Sequence, residues 1–312
     1  MQQICTTILM IRPSSFRMNE QTAVNNYYQQ NLSDILPATI NARAQKEFDH
    51  FVKMLQENGI DVIVVQDTEM PSTPDAIFPN NWISFHENGD VALYPMYAEN
   101  RRLERREDVL EMVEERGFII ENVIDYSGAE QEGIFLEGTG SLVLDRKHRK
   151  AYCALSSRTD EELCIEFCED FEYTPVIFSA NQTVDNRRAP IYHTNVMLCI
   201  AEEFAVVCLD CIDDKKERKN VRKHLKESGK DIIQVTEQQV AQFAGNMLQI
   251  KNKDHHKFLV MSNAAHASLT KEQEERITKY TPILHGSLEV IETCGGGSAR
   301  CMMTEVFLPK YH

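Results

Sequence analysis

The sequence predicts an α/β fold closed into a ring of five similar units, on three observations. From Asn80 onward a pattern recurs: a short polar motif, an apolar strand, a turn, a second strand, a charged helical stretch and a third strand. Its copies begin near residues 80, 138, 194, 246 and 300, a spacing within the roughly 20 to 60 residues of repeat architectures. The last copy, RCMMTEVFL, runs out of chain, and what it lacks stands at the other terminus. A ring that joins the termini fits this better than a linear array.

Taken in order, the N-terminal portion supplies the strand ICTTILMI, an amphipathic helix from about Asn41 to Asn58 and the strand DVIVV. The next unit reads FPNNWISF, VALYPM, a charged helix around Asn100 to Arg116, then FIIENV. EGTGSLVL, KAYCAL, a helix from Thr159 to Phe171 and TPVIF follow. HTNVMLCI, FAVVCL, a helix from Asp214 to Ser228 and DIIQV make the next. AGNMLQI, KFLVMS, a helix from Thr270 to Tyr280 and LEVIE complete the series. Met18 to Pro37 and Gln66 to Phe78 read as long loops, the first as a lid. No linker or change of composition divides the chain, so residues 1–312 are expected to form a single domain.

The formal net charge of -15 argues against nucleic acid or an anionic membrane as partner, since both need a basic face. A small molecule is the better expectation, and a homo-oligomer remains compatible with it. No apolar run approaches the ~20 residues of a membrane helix. The N-terminal MQQICTTILMIRP has no basic leader, and the nine cysteines form an irregular set. Reduced thiols and a cytoplasmic location are therefore expected.

If the first strand of each unit starts at one end of the ring, the motifs before those strands converge on an axial cavity. PDAIFPNNW, FLEGTGS, YHTN, AGN and GGGSARC together bring a carboxylate, a histidine, a cysteine and amides. Cys301, behind its glycines, is the candidate nucleophile. His193 is the candidate acid and base, because imidazole titrates near neutrality. Glu137 would orient that imidazole and stabilise its charged form.

These motifs carry a resemblance. EGTGS, HTN and the terminal GGGSARCM resemble the catalytic motifs of the guanidino-group-modifying superfamily: arginine deiminases, dimethylarginine hydrolases and amidinotransferases. The resemblance implies a five-bladed α/β propeller, the pentein fold, of pseudo-symmetric ββαβ units closed by pairing the terminal segments. It places Cys301, His193 and Glu137 on the family nucleophile, acid/base and supporting carboxylate. It implies no cofactor and no metal, and an amino-acid substrate. FPNNW is most similar to bacterial citrulline-utilisation hydrolases and arginine dihydrolases.

Departures from the family sharpen the expectation. Arginine deiminases carry FTRD and HLD where this chain has FPNN and HTN, so two aspartates that grip a guanidinium become Asn81 and Asn195. An amide offers donor and acceptor together, which suits a neutral ureido group. Citrulline or a close derivative is therefore expected, cleaved to ornithine, ammonia and carbon dioxide, while Asp75 keeps arginine open. Phe78 counts with the substrate-binding residues, and Arg101 and Arg158 stand where the family binds the substrate carboxylate, with Arg102 an alternative to Arg101. A non-catalytic binding member of the fold is the reading from another class, and the intact Cys, His and Glu set argues against it. Cys208 and Cys211 with His255 and His256 do not match a compact zinc site. The run DDKKERKNVRKHLK reads as a solvated helix face, and Trp82 as core.

Overall fold

A continuous apolar run such as FAVV at 204–207 should become a strand covered on both faces, and it does so as the middle strand of a three-stranded sheet. A computed structural model describes residues 2–311. The chain is a mixed α/β protein, in which β1 (Thr7–Arg12) runs parallel to β2 (Asp61–Gln66). Next, β4 (Asp90–Leu93) lies between antiparallel β3 (Ile83–Phe85) and parallel β5 (Asn122–Asp125). The order repeats in β6 (Leu142–Asp145), β7 (Lys150–Leu155) and β8 (Thr174–Ser179).

A separate hairpin, β9 (Asn181–Val184) and β10 (Arg187–Pro190), precedes β11 (Leu198–Ile200), β12 (Phe204–Val207) and β13 (Asp231–Gln234). Then come β14 (Leu248–Lys251), β15 (Lys257–Ser262) and β16 (Ile283–Gly286), in the same order again. Finally β17 (Thr304–Val306) pairs antiparallel with β1, setting Thr7 opposite Val306 and Leu9 opposite Thr304. The strand that follows Cys301 is thus completed by the N-terminal chain, as the spliced unit predicts.

Parallel neighbours cannot be joined by a tight turn, so each parallel pair carries a crossover. The crossover helices are Pro37–Glu57, Glu107–Glu115, Glu161–Asp170, Lys215–Glu227 and Lys271–Thr278. Asp160 and Asp214 cap the third and fourth by accepting from two backbone N–H groups each, and Thr270 with Gln273 forms a capping box on the last. Buried Leu163, Cys164, Phe167 and Cys168 recur along one face of Glu161–Asp170 and seat it on its sheet.

Three elements differ from expectation. LEVIE reads as a strand from its β-branched residues, yet Glu289–Gly295 is a helix. The Glu47 carboxylate, 243 residues earlier in sequence, accepts from Val290 N, and it also takes the N–H of Ile291. That distant cap satisfies N–H groups a helix start leaves open. FIIENV pairs as β5 only from Asn122, because Phe118 bridges to Lys310 and Ile119 N bonds Pro309 O in the C-terminal tail. The β9–β10 hairpin has no counterpart in the sequence reading; Asp185 and Asn186, both at positive φ, make its two-residue turn. Trp82 is core, fully buried against Leu9, Ile83 and Val306.

Short helical turns precede the inner strands: Pro79–Asn81, Gly138–Ser141, Thr194–Val196 and Ala299–Met302. The Gly138–Ser141 turn packs against the first and third of these, and Pro79–Asn81 packs against Ala299–Met302. The motif residues are therefore gathered in one place, and the 18–37 segment folds across them. Among the described residues no helix is long and apolar enough to cross a membrane.

Candidate active site

Cys301, His193, Asp75, Phe78, Asn81, Arg101 and Arg158 line one cavity, together with Asn26, Tyr192, Gly295 and Gly297. Its volume is about 10 Å³, on the scale of a single water molecule. Glu137 stands behind His193, with Oε2 2.8 Å from His193 Nε2. Its Oε1 accepts from Tyr97 N at 3.0 Å, and Arg158 Nη1 lies 3.4 Å from Oε2. Both residues are fully buried.

Burial opposes the Glu137 charge, but Arg158, the His193 hydrogen bond and Arg101 outweigh it and bring its pKa down to about 2. Burial also disfavours a charged imidazole, and although Glu137 opposes this, the His193 pKa falls to about 4. At neutral pH the pair is a carboxylate holding a neutral imidazole. Such an imidazole is ready to accept a proton from a thiol and to return it.

Cys301 sits on the Ala299–Met302 turn with its side chain buried. Asn246 Nδ2 lies 3.2 Å from its Sγ, and Asn195 Nδ2 3.6 Å. Phe78 closes the glycine side: a Cβ at Gly295 or Gly297 would stand 2.8 or 2.9 Å from its ring. The glycines that suggest a flexible turn in the sequence are there to admit this ring.

The two arginines are held on both sides. Arg101 donates through Nε and Nη2 to Glu104, and through Nη1 to Asn81 Oδ1 at 2.7 Å. Burial works against its charge, yet Glu104 and Asp75 hold its pKa above the ordinary value. Arg158 donates to Asn25 Oδ1 and to Thr22 O, the latter in the short helix Glu20–Ala23 of the segment over the site, and its guanidinium lies over the Tyr192 ring. Arg102 is directed away, to Met96 O and Glu130, so of the two neighbours Arg101 is the one at the cavity.

Asp75 Oδ2 accepts from Asn19 Nδ2 at 2.8 Å and Thr22 Oγ1 at 3.0 Å, while Oδ1 is buried with no partner among the described residues. Asn195 is not among the cavity-lining residues, although its Nδ2 is 3.6 Å from the Cys301 sulfur. The sequence reading missed Asn246, Glu104 and the loop residues Thr22, Asn25 and Asn26. The AGN motif had flagged the region of the first, and the i, i+3 spacing of Arg101 and Glu104 could have found the second. Cys208 and Cys211 are core residues, whereas His255 and His256 are exposed.

A turn-borne cysteine sharing a cavity with an imidazole–carboxylate pair inside a mixed α/β fold points to a class, the guanidino-group-modifying hydrolases. The chain belongs to the family described as N,N dimethylarginine dimethylhydrolase, eukaryotic, which it matches over residues 12–308. That places it among hydrolases acting on C–N bonds of guanidino compounds. No curated protein matches by sequence.

Solved structures share the fold. ArgZ in its apo form, an arginine dihydrolase from the ornithine-ammonia cycle in cyanobacteria, superposes with a TM-score of 0.74 at 18% identity over 98% of this chain. The chain spans 41% of that protein's length. The isolated N-terminal domain of ArgZ bound to product gives 0.71 at 19% identity, over 99% of this chain and 100% of that one. A dimethylarginine dimethylaminohydrolase variant held as an adduct with S-methyl-L-thiocitrulline gives 0.63 at 13% identity, over 96% and 99% of the two chains.

Proposed function

We propose that this chain is a cysteine-dependent hydrolase that cleaves the ureido C–N bond of citrulline or a close derivative and releases ornithine. The observation that carries the reading is the placement of Cys301 and the Glu137-held His193 on one cavity. In this mechanism His193 takes the Cys301 proton, and the thiolate attacks the ureido carbon. Donors beside Cys301 and the amide of Asn81 on the cavity wall support the charge that develops on oxygen. His193 then gives its proton to the departing δ-nitrogen; ornithine leaves and an S-carbamoyl cysteine remains. Water, activated by His193, adds to that thioester, and the carbamate released decomposes to ammonia and carbon dioxide. Asn81 supplies an amide on the cavity wall, and Arg101 and Arg158 are the cations for the substrate carboxylate.

A second reading takes the guanidinium of arginine, to citrulline or on to ornithine. It is favoured by the unpartnered Asp75 Oδ1, an acceptor suited to a cationic N–H donor. The relatives named above as arginine dihydrolases point the same way. The five sheets of one strand order, joined through β1 and β17, support reading residues 1–312 as one five-bladed propeller domain.

The test incubates purified protein with citrulline, N-acetylcitrulline and arginine in turn, measuring ammonia, citrulline and ornithine. Ornithine from citrulline but not from arginine supports the first reading. Turnover of arginine supports the second. Activity that survives Cys301→Ser removes both.

A further inference from the structure

We propose that Asn246 is the residue that positions the Cys301 nucleophile and stabilises the negative charge its sulfur gains when His193 takes its proton. The inference rests on the reading that Cys301 is the nucleophile. Asn246 is buried, and its two amide ends face opposite demands. Oδ1 accepts from Arg300 N at 3.0 Å and Cys301 N at 3.4 Å. Nδ2 donates to Asn195 O at 3.1 Å and to Cys301 Sγ at 3.2 Å.

The orientation is fixed by chemistry. Backbone N–H groups only donate and a backbone carbonyl only accepts, so the oxygen must face Arg300 and Cys301 and the NH2 must face Asn195 and the sulfur. One side chain thereby ties the starts of three successive units together at the sulfur. A hydrogen bond to a charged acceptor is stronger than one to a neutral acceptor, so this N–H bond strengthens as the sulfur becomes charged on its way to attack.

The local backbone is shaped to deliver the amide. Phe243 adopts a left-handed φ of 62°, and Asn246 N bonds Phe243 O at 2.8 Å. At Gly245 a Cβ would stand 2.3 Å from Val196 O and 2.7 Å from Met197 Cα. Only glycine lets the loop press against the turn that carries Asn195, and that approach brings the Asn246 amide to Cys301.

Asn246→Asp tests the proposal, because it keeps an acceptor for the two backbone N–H groups and replaces the donor beside the sulfur with a carboxylate oxygen. Iodoacetamide alkylation of Cys301, followed by peptide mass at several pH values, should slow by about tenfold or more at pH 7, with its profile displaced to higher pH. With the substrate that the wild type turns over, kcat should fall by a similar or larger factor while KM changes far less. Circular dichroism and the thermal midpoint report whether the variant folds, and Asn246→Ser, which keeps a hydroxyl donor, should recover part of the alkylation rate. Wild-type alkylation and kcat in a folded Asn246→Asp protein would overturn the proposal. A protein without activity on any substrate, or with activity in Cys301→Ser, would instead count against the functional reading, and the alkylation rates would still decide the role of Asn246.

Discussion

His193 Nε2 and Glu137 Oε2 stand 2.8 Å apart with both side chains fully buried. Their protonation is therefore coupled to folding. The folded His193 pKa of about 4 lies below its ordinary 6.5. As pH falls from about 6.5 toward 4, the unfolded chain takes up a proton that the folded chain refuses, so stability is lost with acid. Glu137, lowered to about 2 from 4.5, acts in the same direction at lower pH: its contribution is present above 4.5 and is lost as pH falls toward 2. Each shift corresponds to about 3 kcal/mol as an upper figure. Denaturant titrations at pH 7.5 and pH 5 should show wild-type stability falling, and His193→Gln falling less. His86, also buried and held well below 6.5, adds acid lability to both proteins, so the difference between them isolates His193. Equal losses in the two would rule out this account.

Gly140 fixes where the imidazole and the Asn81 amide sit. A Cβ there would lie 2.8 Å from His193 Nδ1 and 2.5 Å from Asn81 Nδ2. Gly140→Ala should displace both side chains and lower kcat by about 100-fold, the cost of a misplacement near 1 Å. Gly128→Ala is the control, since nothing lies within 4 Å of its Cβ. Steady-state kinetics on the two variants decide the point: comparable rates would mean that the imidazole position is not critical.

How much of this was legible in sequence follows from the range of each determinant. The inner-strand turns carry their own signals, so Cys301, His193 and Glu137 could be placed from their common position at unit starts. The strand order was readable because each unit alternates apolar runs with a charged helix. What escaped depends on partners remote in sequence. Glu47 converts LEVIE to a helix, and Asn25 engages Arg158 from 133 residues away. Asn246 needed the folded geometry to show that one amide serves Arg300, Cys301 and Asn195 at once. Arg101 and Arg158, read as carboxylate binders, are also engaged by Glu104, Asn81 and the 18–37 segment, a pairing that composition does not disclose.

The loop over the site must open for an amino acid to enter a cavity of about 10 Å³. Asn25 holds it shut on Arg158, beside Thr22 O. Asn25→Ala should leave Arg158 with Thr22 and Glu137 but weaken the closed state, raising hydrogen exchange at amides 22–30 by about tenfold. Gln30 N, bonded to Thr293 O at 2.7 Å, is a suitable reporter. KM should rise as well, because Asn25 also holds Arg158, the cation proposed for the substrate carboxylate. Unchanged exchange would show that the loop is held elsewhere.

Ile8 tests whether joining the termini supports the site. It is fully buried, lies opposite Glu305 across the β1–β17 pair and packs in the cluster that holds Cys301, Met302 and Met303. Ile8→Ala removes methyl groups from a place where surrounding strands cannot collapse, so a loss of about 2 to 5 kcal/mol is expected. Because the Cys301 turn leads directly into β17, alkylation of Cys301 should also become faster as the turn gains access to solvent. Val24→Ala, at a side chain that is 63% exposed, should change neither quantity. Denaturant midpoints and alkylation rates for the two variants separate the outcomes: a destabilised Ile8→Ala protein with wild-type alkylation would confine the terminal pairing to stability alone.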